Sequence, residues 1–199
     1  MTTRGGTATA LLVIDMQKQV METAWQRDDI VARSADLIER ARKEDVPIVF
    51  VQHHATDGEG LVRGSDGWRF VDAVAPRDDD VVVEKNYSDA FVETGLRGTL
   101  DRLRAGHLVV LGAESDACIN STARRALAEG YDVTLVEDCH TTSDRTFDDP
   151  RIGDVRIGAE QVVVHTNLCL WSLTYPGQVS TIQPADDVRF EMPSTATTA

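Results

Sequence analysis

The sequence predicts an α/β protein: a parallel sheet covered by helices on both faces. Three observations lead there. Short β-branched runs recur along the chain, and most are continuously apolar, as strands covered on both faces are. Stripes of helical period lie between several of these runs. The length, 199 residues, suits one compact unit with one sizeable core, and neither an internal repeat nor a linker interrupts it.

The runs are ALLVID over 10–15, VPIVFVQ over 46–52, DVVVEK over 80–85, HLVVLG over 107–112, YDVTLV over 131–136 and EQVVVH over 160–165. Each reads as a strand, which gives a mostly parallel sheet of about six. Ile30, Val31, Ser34, Leu37, Ile38 and Ala41 form one helical stripe. Phe91, Val92, Leu96, Leu100 and Leu103 form a second. Ile119, Thr122, Ala123, Ala126 and Leu127 form a third, with Gly130 where a helix C-cap belongs. Residues 54–79 read as a long irregular insertion, a candidate lid. The folded unit is expected over 8–192, with flexible tails at 1–7 and 193–199.

The charge balance, 20 − 33 = −13, argues against a nucleic-acid partner, which needs a field of Lys and Arg. The opening MTTRGGTATA has neither a long apolar core nor a cleavage pattern. The ALLVI that follows is too short to span a membrane. A cytoplasmic protein without a membrane partner is therefore expected. Cys118, Cys139 and Cys169 are odd in number, and no CxxC pair occurs. A disulfide framework or a zinc site is not expected.

In open parallel sheets, ligands bind beyond the carboxyl ends of the strands. The first run ends in Asp15, the second in Gln52, His53 and His54, and the third in Glu84, Lys85 and Asn86. The fourth runs into Gly112, Glu114, Ser115, Asp116 and Cys118. An acid, a lysine and a thiol from three strands could thus share one crevice. An ammonium and a helix N-terminus stabilise a thiolate, and a carboxylate can take the thiol proton. The backbone N–H of Cys118, at the start of a helix, could hold an oxyanion. Singly, each residue has a plainer reading. An Asp after a strand caps helices, a Lys at a strand end is usually solvated, and a Cys before a helix often only packs.

TALLVIDMQ, VVVEKNYSDAF, LVVLGAESDACINSTARRALAEGYDVTLVEDCHTT and EQVVVHTNL resemble the isochorismatase-like cysteine hydrolases. The likeness covers roughly 8–192 in the family's order and spacing. It implies a Rossmann-like three-layer α/β/α sandwich and an Asp–Lys–Cys triad, here Asp15, Lys85 and Cys118. It also implies a cis peptide at Ala113–Glu114, which brings the Glu114 and Cys118 N–H groups together as an oxyanion hole. The ESDACINST and HTNL segments further resemble hydrolases of antibiotic-type amides such as streptothricin.

Two departures stand out. Relatives often carry a pocket aromatic shortly after DMQ, whereas this chain offers Val20 there and Trp25 beyond. Glu114 stands where a small or amide residue is common, so its side chain is free to tune the pocket. Nicotinamidase-type members bind a metal through Asp-x-His after the second strand. FVQHHATDG lacks that Asp, so no metal and no cofactor are expected. Gln17, His53, Trp68 and Tyr87 are candidate substrate-binding residues. Asp116 reads as a loop-bracing acceptor, Cys139 and Cys169 as packing residues, and Asn167 and Trp171 as candidates for a subunit contact. The expected activity is hydrolysis of a small-molecule C–N amide-type bond through a thioester, by a homo-oligomer (dimer or tetramer). The alternatives are vinyl-ether hydrolysis of the isochorismatase type, or a silent or redox-sensing protein of the same fold.

Overall fold

The structure, a computed structural model, describes residues 5–55 and 60–193. Most of the segments expected as tails, 1–4 and 194–199, lie outside the described residues. Six strands form one sheet: β1 Ala8–Ile14, β2 Ile48–His53, β3 Val81–Lys85, β4 Ala105–Ala113, β5 Asp132–Thr141 and, later in the chain, Ser180–Gln183. Two short strands, β6 Arg145–Asp149 and β7 Gly153–Ile157, pair antiparallel as a separate hairpin, so Ser180–Gln183 is β8. The main sheet runs β3-β2-β1-β4-β5-β8 and every pairing in it is parallel.

The helices are α1 Lys18–Met21, α2 Arg27–Lys43, α3 Leu96–Arg102, α4 Asn120–Ala128 and α5 Ala159–Trp171. Alternation along β1 divides the core in two. Leu11 and Val13 pack with Val31, Leu37, Ile38 and Ala41 of α2. Ala10, Leu12 and Ile14 pack with Leu96 and Leu100 of α3, Ala123, Ala126 and Leu127 of α4, and Leu170 of α5. Helices therefore cover both faces, which makes the expected three-layer sandwich. No helix of the described residues is long and apolar enough to cross a membrane.

Gly130 (φ +95°) ends α4 as expected. The Tyr131 N–H reaches the Ala126 carbonyl and the Gly130 N–H the Leu127 carbonyl, both at 3.0 Å, which satisfies two carbonyls of the last turn. The stripe from Phe91 to Leu103 is helical only over Leu96–Arg102.

One strand assignment is corrected. EQVVVH lies within α5, not in a strand. Its β-branched run is short and continuously apolar, a pattern that period alone cannot assign. Val162, Val163, Thr166 and Leu170 face the core at helical spacing, while Val164, Leu168 and Trp171 of the same helix are exposed. The sixth strand is STIQ, half-buried at the sheet edge and too mixed in character to announce itself. The hairpin β6–β7, mostly exposed, carries no burial pattern for the sequence to reveal.

Candidate active site

The chain winds from β1 outward to β2 and β3 on one side, and through β4, β5 and β8 on the other. The β1/β4 junction is thus the switch point, where an open parallel sheet leaves a crevice beyond its carboxyl ends. Asp15 follows β1 and Cys118 follows β4, one on each side of it. Asp15 takes a left-handed conformation (φ 50°), which Asp tolerates better than most residues. Its N–H donates to the Val51 carbonyl at 2.9 Å, and its carbonyl accepts from the Gln17 N–H at 2.7 Å. Gly112 (φ +126°) faces this corner, where any Cβ would lie 2.0 Å from the Ile14 carbonyl oxygen. Only glycine lets β4 pass β1 so closely.

Lys85 closes β3 and His53 closes β2, and the two are register partners. Their side chains therefore leave the sheet on one face. The Lys85 ammonium lies 2.6 Å from Asp15 Oδ2, 3.1 Å from Cys118 Sγ and 3.1 Å from His53 Nδ1. Lys85 and Asp15 are buried, with side-chain exposures of 0% and 2%. The other carboxylate oxygen, Asp15 Oδ1, is buried without a hydrogen-bond partner. Acid, lysine and thiol therefore converge as the strand ends suggested.

After β4 the Ala113–Glu114 peptide is cis. A single wide, π-type turn, Ser115–Ile119, then carries Cys118 into α4. The N–H groups of Ala117 and Ile119 both donate to the Glu114 carbonyl, at 3.1 Å each. Behind the turn, Ser115 Oγ lies 2.8 Å from His140 Nδ1, and His140 Nε2 lies 2.9 Å from Asn167 Oδ1. The Asn167 amide is thus spent within the chain, while Trp171 is 65% exposed. Asp116 accepts from Thr142 Oγ1 (3.0 Å) and from the Arg145 guanidinium (2.7 and 2.8 Å), the bracing role foreseen for it.

The electrostatics of this cluster follow from burial. Burial raises the Asp15 carboxyl above the ordinary carboxylate range, against the pull of Lys85. Burial pulls Lys85 down, but Asp15 and Cys118 together hold it above its usual value, so it stays an ammonium. Burial lowers His53, and Lys85 lowers it further, so its ring is neutral. Burial pushes the Cys118 thiol up to about 12, and Asp15 adds to this, against Lys85. Desolvation thus outweighs the ammonium that was expected to stabilise a thiolate, and the thiol keeps its proton beside a buried base.

A cleft of about 350 Å³ opens over this corner, lined by Gln19, Val20, Thr23, His53, Glu114 and Ser143 among others. Val20, not Trp25, holds the place of the pocket aromatic. The Trp25 backbone instead bonds to Thr141 and Thr142. A second cleft of about 380 Å³, lined by Arg42, Arg77, Asp79 and Asp80, lies far from the triad at the opposite end of β2 and β3. Both its arginines are paired: Arg42 holds Glu39 and Asp80, and Arg77 holds Glu39.

Of the candidate substrate contacts, only His53 lines the cleft over the triad. Gln17 is fully buried, and its amide is spent on the backbone of His53 and Trp68. It is a strut rather than a ligand contact. The Trp68 carbonyl anchors Gln17 and Gln52, and Tyr87 is 49% exposed. Thr23, Ser143 and the Arg145 clamp went unseen in the sequence, since nothing in their local text marks a pocket. Among the described residues, Asp15, His53 and Cys118 are the group whose ligand atoms, within 4.8 Å of one another, could hold a metal. The Lys85 ammonium donates to all three.

Comparison with known proteins identifies the family. Residues 9–166 match the family model described as Isochorismatase domain. Streptothricin hydrolase of Streptomyces noursei is 33% identical over 138 residues, covering 68% of this chain and 50% of that protein. The chain thus spans about half the length of this relative. Nicotinamidase 3 of Arabidopsis thaliana is 26% identical, over 77% of this chain and 83% of its own. An isochorismatase of solved structure from Pseudomonas putida KT2440 superposes with a TM-score of 0.79 at 30% identity, covering 92% of this chain and 90% of that one. A matched model over most of the chain, and a shared overall fold, make this protein a member of the isochorismatase family of hydrolases.

Proposed function

We propose that this chain is a cysteine-dependent hydrolase that cleaves a carbon–nitrogen amide-type bond of a small molecule. One observation carries the reading: a buried ammonium bonded at once to Asp15 and Cys118, beside an Asp15 oxygen that has no partner. A buried carboxylate with raised proton affinity is a better base than a surface one. Asp15 takes the Cys118 proton as the sulfur attacks the carbonyl carbon. The oxyanion rests on the Glu114 and Cys118 N–H groups. Asp15 then returns the proton to the leaving nitrogen, the C–N bond breaks, and an acyl thioester remains on Cys118. Water, deprotonated by Asp15, adds to the thioester and releases the acid and the free thiol. Lys85 keeps its charge throughout and offsets the negative charge as it moves between oxygen and sulfur. The scheme needs no cofactor.

Two relatives carry the names streptothricin hydrolase and nicotinamidase, which supports an amide-type substrate. A redox-sensing role fits less well, because a sensor needs an accessible, low-pKa thiolate and burial pushes Cys118 up to about 12. We also read the chain as a homo-oligomer. The exposed Val164, Leu168 and Trp171 of α5 support that reading, and a monomer by sedimentation at working concentration overturns it.

The test of function is a screen of small amides, ureides and lactams, streptothricin among them. It follows amine or ammonia release and the mass of the Cys118 peptide. Release with an acyl adduct on Cys118 is expected. Turnover without any adduct, or preferential cleavage of a vinyl ether, overturns the proposal.

A further inference from the structure

His53 does more than fill a corner of the site. Its Nδ1 lies 3.1 Å from the Lys85 ammonium. An ammonium has three protons and no lone pair, so it can only donate. Its other two partners are Asp15 Oδ2 and Cys118 Sγ. His53 Nδ1 is therefore an acceptor, and in a neutral ring the proton must sit on Nε2. A ring protonated on both nitrogens would aim an N–H at the ammonium.

The residue is also fixed in place. Its backbone N–H donates to Gln17 Oε1 and its carbonyl accepts from Gln17 Nε2, at 2.9 Å each. Gln17 is fully buried and tied again to the Trp68 carbonyl at 2.8 Å. His53 lines the cleft, and among the described residues the hydrogen bond of its ring is the one that Nδ1 makes with Lys85. The charged and titratable groups that face the ring are Lys85, Asp15, Cys118 and His54.

We infer that Lys85 locks His53 as its Nε2–H tautomer, and that this N–H is offered to a hydrogen-bond acceptor, an amide or ureide carbonyl oxygen, on the molecule in the cleft. The inference rests on the amide reading above and makes His53 a specificity-determining residue. A substrate without an acceptor at that place leaves a buried donor unpaired, which binding sites penalise.

Two measurements test it, and neither needs turnover. In nitrogen-15-labelled full chain, two-bond proton–nitrogen spectra report the tautomer of each of the five histidines, and His53→Gln identifies the signal. The Nε2–H pattern is expected near neutral pH, as is its loss in Lys85→Met. An Nδ1–H or imidazolium pattern overturns the lock. The second measurement is the rate of Cys118 alkylation by iodoacetamide, which carries an amide carbonyl, divided by the rate with methyl iodide, which carries none. This ratio is expected to fall about three- to tenfold in His53→Phe and to recover in His53→Gln, whose amide keeps a donor. An unchanged ratio in His53→Phe overturns the donor role. If the protein released no amine from any amide, the proposed function would fail while both results still decided the role of His53.

Discussion

Two thiols stand near the carboxyl ends of neighbouring strands and differ in almost nothing that a titration would report. Cys118 lies just past β4 and Cys139 lies in β5, its pairing partner. Burial pushes both up to about 12. Yet Cys139 is wholly buried, and its neighbour Asp138 is already committed. One Asp138 oxygen accepts the Ala185 N–H at 2.8 Å and the other lies 3.5 Å from Arg33. Cys118 is partly accessible, has an ammonium 3.1 Å away, and has beside it a carboxylate oxygen with nothing to do. Burial alone makes a thiol inert. A nucleophile needs an uncommitted base, a fixed cation and an approach path in addition.

Exchanging each sulfur for a methyl hydrogen gives the widest separation between the two ends. Cys118→Ala is expected to lower kcat by at least about 10⁴-fold, because no other group can form the thioester. Cys139→Ala is expected to keep kcat within about twofold while lowering stability by about 1–2 kcal/mol, the usual cost of trimming a packed core residue. Steady-state kinetics and urea midpoints read both. Comparable losses of activity from the two variants would erase the distinction.

Next in size is Asp15→Asn. The amide keeps a contact to Lys85 but cannot accept the thiol proton, so kcat is expected to fall about 10²–10⁴-fold. The matching change at the other end, Asp138→Asn, removes no base for catalysis and is expected to leave kcat within about twofold. A mild Asp15→Asn phenotype in kcat would mean that another group takes the proton.

Much of this contrast is legible in the text of the chain, for a physical reason. Strands buried on both faces need continuous apolar runs, so β1, β2, β4 and β5 announce themselves, while the largely exposed edge strand β3 shows through its β-branched VVV. Asp15, Lys85 and Cys118 could be placed that way, and the family resemblance added their roles. What could not be read is what the runs do not encode. EQVVVH has a helix-forming burial pattern only once its partners are known. Gln17 carries a motif position but spends its amide on backbone that comes from residues 36 and 51 positions away. The protonated resting state of Cys118 depends on how much water the assembled corner excludes, which no spacing reveals.

A smaller effect separates the two ends through pH. His140 follows Cys139 and sits against the nucleophile turn through Ser115. Burial lowers its pKa from 6.5 to about 4, and that of His107 likewise. The unfolded chain then binds these protons as pH falls through about 6.5, whereas the folded chain binds them only near 4. Stability is therefore full above that window and declines on acidification, by about 2 kcal/mol per histidine between pH 7 and 5. Asp15 works in the opposite direction, since burial raises its carboxyl, so part of the decline is offset. Urea midpoints across this range are expected to fall with pH, and less steeply in His140→Gln. An equally steep fall in that variant would mean that His140 titrates normally in the folded chain.

The smallest effect concerns the hairpin. Arg145 of β6 donates to Asp116 at 2.7 and 2.8 Å and to Glu114 at 3.1 Å, and so clamps one acid just before the nucleophile turn and one inside it. The geometry is good, but Arg145, Glu114 and Asp116 keep side-chain exposures of 31%, 32% and 36%. Water and salt therefore screen the clamp, and its contribution to stability is at most about 1 kcal/mol. Arg145→Ala is expected to lower kcat/KM only about two- to fivefold, by loosening the Glu114 N–H that would face the oxyanion. Arg145→Lys keeps the charge without the planar fork and falls between wild type and Ala. Added salt is expected to narrow the difference between Arg145 and its variants. A loss above about 100-fold in Arg145→Ala would move the origin of Cys118 reactivity from the buried strand ends to the surface hairpin. The buried partners argue against that: Lys85 and Asp15 reach the sulfur from β3 and β1, whose positions the core fixes without help from Arg145.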